Sequence, residues 1–327
     1  MTKRYFIALV SATLAVSIVS RVGSNEATAE ITLDKPVTAA SVHYPTMADM
    51  TSPEFGAAVA KTDVALLPIG AIEEHGSHLP LSTDAVGAVA QVFHVQKYLR
   101  NAGVETIIGP ALNIGITNEA DDRSRDGTYM YPGSLTIGEK TFVSLYTDVL
   151  RSLNDNGLRT VFIYSGHLGG RHLTAIVKTV EEAKKNIRGL TVYAFIESER
   201  LEQMKLKPSA NILPIDKGQN FEMLTRLLGK GDEQAFSTHG DGTETSLMLY
   251  FQPGSVRPGY QRVPQARSSR FFEAIFSGDA TKNPSGVGGF PYERASAAVG
   301  KAIVDYRTPI IANAIIRTLN RGWGNKK

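Results

Sequence analysis

The sequence predicts an α/β protein: a three-layer α/β/α sandwich with a mainly parallel central sheet. Three observations predict it. Strand-length runs of continuous apolar character, Val64–Ile69, Thr160–Tyr164 and Thr191–Ile196, recur along the chain. Strands buried on both faces read this way, whereas one-sided antiparallel strands alternate. Helix-length segments separate these runs, the order expected of a parallel sheet covered on both faces. No low-complexity linker or internal repeat divides the chain, so one domain over residues 30–327 is expected.

The elements follow in order. Ser52-Pro53 offers an N-cap followed by Pro at the first helical position, opening a short helix to about Lys61. Val64–Ile69 (VALLPI) is the first buried strand. Asp84–Asn101 reads as a helix with Val86, Val89, Ala90, Phe93 and Tyr98 near one face. Thr106–Ile108 is a short strand and Gly138–Leu153 a helix. Thr160–Tyr164 (TVFIY), rich in β-branched and aromatic residues, is the clearest strand. A helix over Leu173–Asn186 and a strand over Thr191–Ile196 follow. Beyond Ser198 the chain reads as mostly helical, with Thr243–Phe251 and Ala295–Asn320 the best cases. Pro309 should kink or split the last one.

Composition narrows the chemistry. The 327 residues carry a net charge of +3, too small for a nucleic-acid binder, which needs a clustered basic surface. There are no cysteines, so disulfides, zinc fingers and thiol catalysis are excluded. Lys3 and Arg4, the apolar run Tyr5–Val19 and Ala27-Thr28-Ala29 compose a secretory signal peptide over residues 1–29. An uncleaved anchor is the alternative, but the run falls short of the roughly 20 residues a spanning helix needs. The expected product is exported, periplasmic or secreted, and free of the membrane.

Ligands of such sheets collect outside the carboxyl ends of the strands. The segment after Ile69 offers Glu73, Glu74, His75, His78 and Asp84 within a short stretch containing Gly and Pro. Glu73 and His75, spaced i and i+2, project to the same side of an extended segment. Asp84 opens the next helix, where it either caps that helix or joins the other two. His167 follows the strand ending at Tyr164. A third cluster, His239, Asp241 and Glu244, precedes a helix, where Glu244 either faces solvent or turns to the site. Histidine and carboxylate without thiolate suit Zn²⁺, Mn²⁺ or Fe²⁺. Glu74 and His78 point away from the Glu73/His75 side and are expected to support rather than ligate.

Leu67-Pro68-Ile69-Gly70, with Glu73-x-His75-Gly76-x-His78-Leu79-Pro80-Leu81-x-Thr83-Asp84 after it, resembles the signature of the creatininase (creatinine amidohydrolase) family. So do Gly166-His167-x-Gly169-Gly170 and His239-Gly240-x-x-x-Glu244-Thr245-Ser246. Gly286-Val287-x-Gly289-x-Pro291, with Ala295 and Gly300, resembles the family's C-terminal segment. The resemblance implies a creatininase-like α/β/α fold, commonly a homohexamer. It also implies an amidohydrolase with two divalent ions (Zn and/or Mn, with Fe possible), acting on a small cyclic or linear amide. Carried over residue by residue, the ligands are Glu73, His75, Asp84 as the bridging carboxylate, and His167. Gly169 stands where creatininase has a further ligand Glu, and members with the Gly-Gly variant use the later Glu, here Glu244. His239 falls where the family has a His suited to proton transfer. Three carboxylates against two divalent ions leave one positive charge, which a bridging hydroxide would neutralise.

The chain also departs from the pattern. Its one Trp is Trp323, although creatininase closes its pocket with tryptophan. Arg171 replaces the Asn usual after Gly-Gly. The segment 118–129 (NEADDRSRDGTY) is long and polar, either a solvated loop or a contributor to the site. In the second case Arg123 and Arg125 would bind a substrate carboxylate, beside Gly169 and Gly170. Creatinine is therefore not the expected substrate. The competing expectations are a lactone or ester hydrolase with the same site, and a family member that binds a ligand or metal without turnover.

Overall fold

The computed structural model describes residues 42–117, 131–215, 218–230, 239–265 and 279–324. The segment 1–29, expected to be a signal peptide, and the segment 118–129 with Arg123 and Arg125 lie outside them. Five strands form one sheet: β1 Val64–Ile69, β2 Ile107–Ile108, β3 Thr160–Ser165, β4 Thr191–Glu197 and β5 Ile212–Ile215. Their order is β2-β1-β3-β4-β5 and every pairing is parallel. The helices are α1 Ser52–Val59, α2 Thr83–Asn101, α3 Glu139–Asp155, α4 Gly170–Asn186, α5 Ser198–Gln203, α6 Gly218–Leu228, α7 Gly242–Phe251 and α8 Ala297–Gly324.

Side-chain alternation along β1 builds the two cores. Ala65, Leu67 and Ile69 pack with Phe142, Leu150, Leu173 and Ile176 of α3 and α4 on one face. Val64 and Leu66 pack with Val92 and Val95 of α2 and with Ile311 and Ile315 of α8 on the other. All six residues of β1 are buried, which explains its unbroken apolar reading. The predicted three-layer parallel architecture is the observed one.

The differences are local. Thr51 rather than Ser52 precedes the first helix, in a reciprocal capping box with Glu54. The buried face of α2 runs through Ala85, Ala88, Val92, Val95 and Leu99; of the predicted face only Ala90 is buried, and Tyr98 is exposed. Small alanines face the sheet there, so hydrophobicity misreads the stripe. β5 (ILPI) is a strand inside the stretch read as helical. Its apolar run is only four residues long, and its Pro214 pairs with Ile196 at the sheet edge. α8 runs unbroken through Pro309, so that residue does not split it.

The strand order reverses between β1 and β3, and such a switch point opens a crevice at the strand ends. Two glycines let α2 close onto that point. A Cβ on Gly70, after β1, would lie 2.4 Å from Ala85 Cα, and one on Gly166, after β3, 2.1 Å from Asp84 O. Backbone against backbone leaves no room for a methyl group, so Gly166→Ala should cost at least about 2 kcal/mol in chemical denaturation. Gly56→Ala, in α1 with nothing near its added methyl, should instead stabilise by about 0.5–1 kcal/mol.

Candidate metal centre

The loop leaving β1 carries Glu73 and His75, the first turn of α2 carries Asp84, the residue pair after β3 carries His167, and the first turn of α7 carries Glu244. The structure brings all five together. His75 Nε2 lies 3.2 Å from Asp84 Oδ1 and 3.5 Å from Glu244 Oε2. His167 Nδ1 lies 2.9 Å from Glu73 Oε2 and 3.1 Å from Asp84 Oδ2. Asp84 therefore turns one oxygen to each histidine. Two donor groups result: Glu73, Asp84 and His167 in one, and His75, Asp84 and Glu244 in the other. Glu73 and His75 also form a group with His239.

These side chains fit divalent ions. Among the described residues, Glu73 Oε2, His75 Nε2 and Asp84 Oδ2 are buried with no neighbour in hydrogen-bond geometry, although each lies in an ion pair of 2.9–3.2 Å. Donor atoms bound to one ion at about 2.0–2.2 Å sit roughly 3.0–3.5 Å apart, the spacing seen here. The outer ring nitrogens settle the tautomers. His75 Nδ1 is 3.1 Å from the Glu73 carbonyl and His167 Nε2 is 3.0 Å from that of Ile116. A carbonyl only accepts, so these nitrogens carry the hydrogen and the inner ones hold lone pairs toward the carboxylates when the rings are neutral.

His172 is a supporting residue that sequence reasoning missed. It is fully buried, its Nδ1 accepts from Ile116 N at 3.1 Å, and its Nε2 lies 3.2 Å from Ser165 Oγ. Ser165 in turn donates to the His167 carbonyl at 2.6 Å. The Ile116 peptide is thus held from both ends, by His172 at N–H and by His167 at C=O. Burial and the charge of His167 keep His172 well below its usual pKa, so it stays neutral. Lying within a helix, it carries no sequence signal that separates it from an ordinary core histidine.

Glu244 is placed by the cap of α7. Asp241 accepts from Thr243 N, Glu244 N and Phe290 N, and Gly240 N donates to Glu244 Oε2 at 2.6 Å. His78 does not face the donor groups; its Nε2 lies 2.9 Å from Thr245 Oγ1, tying the β1 loop to α7. Burial lowers its pKa to about 4, so it is neutral. His239 lies against His75 with ring centroids 4.4 Å apart and the rings tilted by 35°, and its Nε2 lies 3.3 Å from Glu74 Oε1. Gly286 leaves space for that carboxylate, since a Cβ there would meet Glu74 Oε2 at 2.6 Å. Burial and His75 lower the His239 pKa, but the Glu74 hydrogen bond and the carboxylates outweigh them and raise it to about 9. Gly169 and Gly170 form the start of α4, just past His167, with Arg171 exposed beside them.

A parallel α/β/α sandwich with histidine–carboxylate donor groups at its switch point defines an α/β protein equipped to hold divalent metal. The profile of the creatininase (creatinine amidohydrolase) family matches residues 48–315, and the chain belongs to that family, whose members are metal-dependent amidohydrolases acting on C–N bonds. A creatinine amidohydrolase of Pseudomonas putida is 25% identical over 269 residues, covering 82% of this chain and 94% of its own length. A mycofactocin precursor peptide peptidase of Mycolicibacterium smegmatis is 29% identical over 107 residues, 32% of this chain and 40% of the relative. The crystal structure of a creatininase has a TM-score of 0.58 at 22% identity, covering 83% of this chain and 96% of that one. Solved creatininases also include a Zn–Zn form of a variant and a Mn form.

Burial opposes charge on both site histidines, yet the carboxylates prevail. Asp84 and Glu244 hold His75, and Glu73 and Asp84 hold His167, well above the usual histidine value. Without metal both rings are therefore protonated at neutral pH and must lose that proton to ligate. Zn²⁺ uptake by metal-free protein should release protons from both histidines and strengthen as the pH rises. Calorimetry in buffers of different ionisation heat checks this. His172→Ala, which frees the Ile116 peptide, should weaken that uptake roughly 10- to 100-fold.

Proposed function

We propose that the chain is an exported amidohydrolase with two divalent ions, zinc or manganese, that cleaves a C–N bond of a small cyclic or linear amide. The observation that carries the reading is Asp84, which presents Oδ1 to the His75 group and Oδ2 to the His167 group. Glu73 and His167 would hold one ion, His75 and Glu244 the other, with Asp84 shared between them. When bound, such ions supply a nucleophile from water at neutral pH and draw electron density from the amide carbonyl.

The chain's own residues do the rest. The backbone carbonyls of Glu73 and Ile116 keep the inner nitrogens of His75 and His167 available for binding. His239, held as a cation by Glu74 and lying against His75, donates the proton that the leaving nitrogen requires. Glu74 fixes the plane of that imidazole. The α/β/α sandwich buries Asp84 and His75, so their charges act in a dry environment where they count for more.

Elemental analysis of the purified chain should find close to two equivalents of Zn or Mn. His167→Ala and Glu244→Gln should lose metal and activity together. His239→Ala should keep its metal while turnover falls roughly 10²- to 10⁴-fold; metal loss in that variant would make His239 a ligand instead. A well-folded protein that takes up neither Zn²⁺ nor Mn²⁺ refutes the reading. A panel of lactams, imides and formamides on the loaded protein identifies the substrate. Export rests on Lys3, Arg4 and the apolar run Tyr5–Val19; mass spectrometry of the exported product should find Glu30 as its first residue. We further propose that the active form is a homo-oligomer, which sedimentation measures directly.

A further inference from the structure

The metal-facing groups leave one feature of the described residues unused. A cavity of about 120 Å³ shares Asp84 and Glu244 with the centre and extends between the sheet and helices α2, α7 and α8. Its wall is largely apolar, with Phe195, Phe221, Leu247, Phe251, Phe290 and Ile311. A dry apolar cavity of roughly 150 Å³ accepts a benzene ring, so this one suits a ring-sized or branched substituent.

The remaining wall is ionic. Among the described residues, Arg200 and Arg307 line the cavity together with one carboxylate outside the metal centre, Glu197. Arg200 stands on α5, directly after β4, where strand-end ligands collect. Among the described residues its Nε is buried without a hydrogen-bond partner and its guanidinium bonds only from Nη1, to Gln203 Oε1 at 3.2 Å, while the charges of Glu197 and Glu199 act on it without accepting from Nε. A buried N–H without an acceptor is costly to leave so. The edge of a guanidinium that includes Nε is one that grips a carboxylate with two parallel hydrogen bonds.

We propose that this cavity is the substituent pocket of the amidohydrolase centre, and that it selects amides whose ring-sized or branched apolar group carries a carboxylate, which Arg200 binds. The inference rests on the amidohydrolase reading and adds the substrate class to it. It assigns to Arg200 the role that the sequence had offered to Arg123 and Arg125.

Phenylacetate and its uncharged counterpart 2-phenylethanol serve as probes, with binding to the metal-loaded chain read by calorimetry. The wild type should bind phenylacetate at least about 10-fold more tightly than the alcohol. Arg200→Gln should remove about that factor for phenylacetate while leaving the alcohol and the metal content unchanged. Arg200→Lys, which keeps the charge and loses the fork, should fall between them. Phenylacetate binding that survives Arg200→Gln and vanishes with chelation would place the carboxylate on the metals and overturn the pocket. Equal binding of the two probes, or none of phenylacetate, overturns it as well. A chain that holds its metals yet ignores phenylacetate leaves the centre standing. A chain that takes up no metal overturns the centre, and the assignment of the pocket to it falls with that.

Discussion

The structure depends on how closely the first turn of α2 approaches the ends of β1 and β3. Asp84 can face His75 and His167 together only because Gly70 and Gly166 carry no side chain where that turn rests on the two strand ends. Three chain segments thereby meet at the point where the strand order reverses. The same approach buries a carboxylate between two imidazoles, an arrangement that is costly unless charge is balanced. Protons on the histidines provide one balance, and divalent ions provide the other.

Around that carboxylate, backbone groups rather than charges hold the geometry. The Glu73 and Ile116 carbonyls fix the outer nitrogens of His75 and His167. His172 and Ser165 fix the Ile116 peptide and the His167 carbonyl in turn. A neutral, fully buried histidine is therefore as much a part of the centre as the groups that face it. Glu74 plays the corresponding part for His239, from a position where Gly286 leaves it room. These supports come from the β1 loop, the end of β3, α4, the segment around Ile116, and the 286–289 segment. The centre is consequently a property of the whole sandwich, and its stability and metal affinity are linked.

Much of this was legible in the residues. The continuous apolar runs of β1, β3 and β4 marked buried parallel strands because both of their faces are covered, and the strand-end rule then pointed to the segments after Ile69 and Tyr164. The stripe on α2 misled because alanines pack closest to a sheet while contributing little hydrophobicity. β5 was hidden by its length and its proline. His172 and Arg200 sit in helices where nothing local distinguishes them from core or surface residues, and only their neighbours reveal a role.

By itself the sequence determined the layer architecture, the exclusion of thiol chemistry and the supply of histidine and carboxylate donors, since each depends on composition or on short-range periodicity. Only the tertiary structure decided that Asp84 turns toward the donors instead of capping α2, and that Glu244 turns inward. It alone set which nitrogen of each histidine is available and placed an apolar, arginine-lined cavity behind the centre. The physical reason is distance along the chain. Residues 73, 84, 167 and 244 become neighbours through strand order and glycine-permitted contact, which no local pattern encodes.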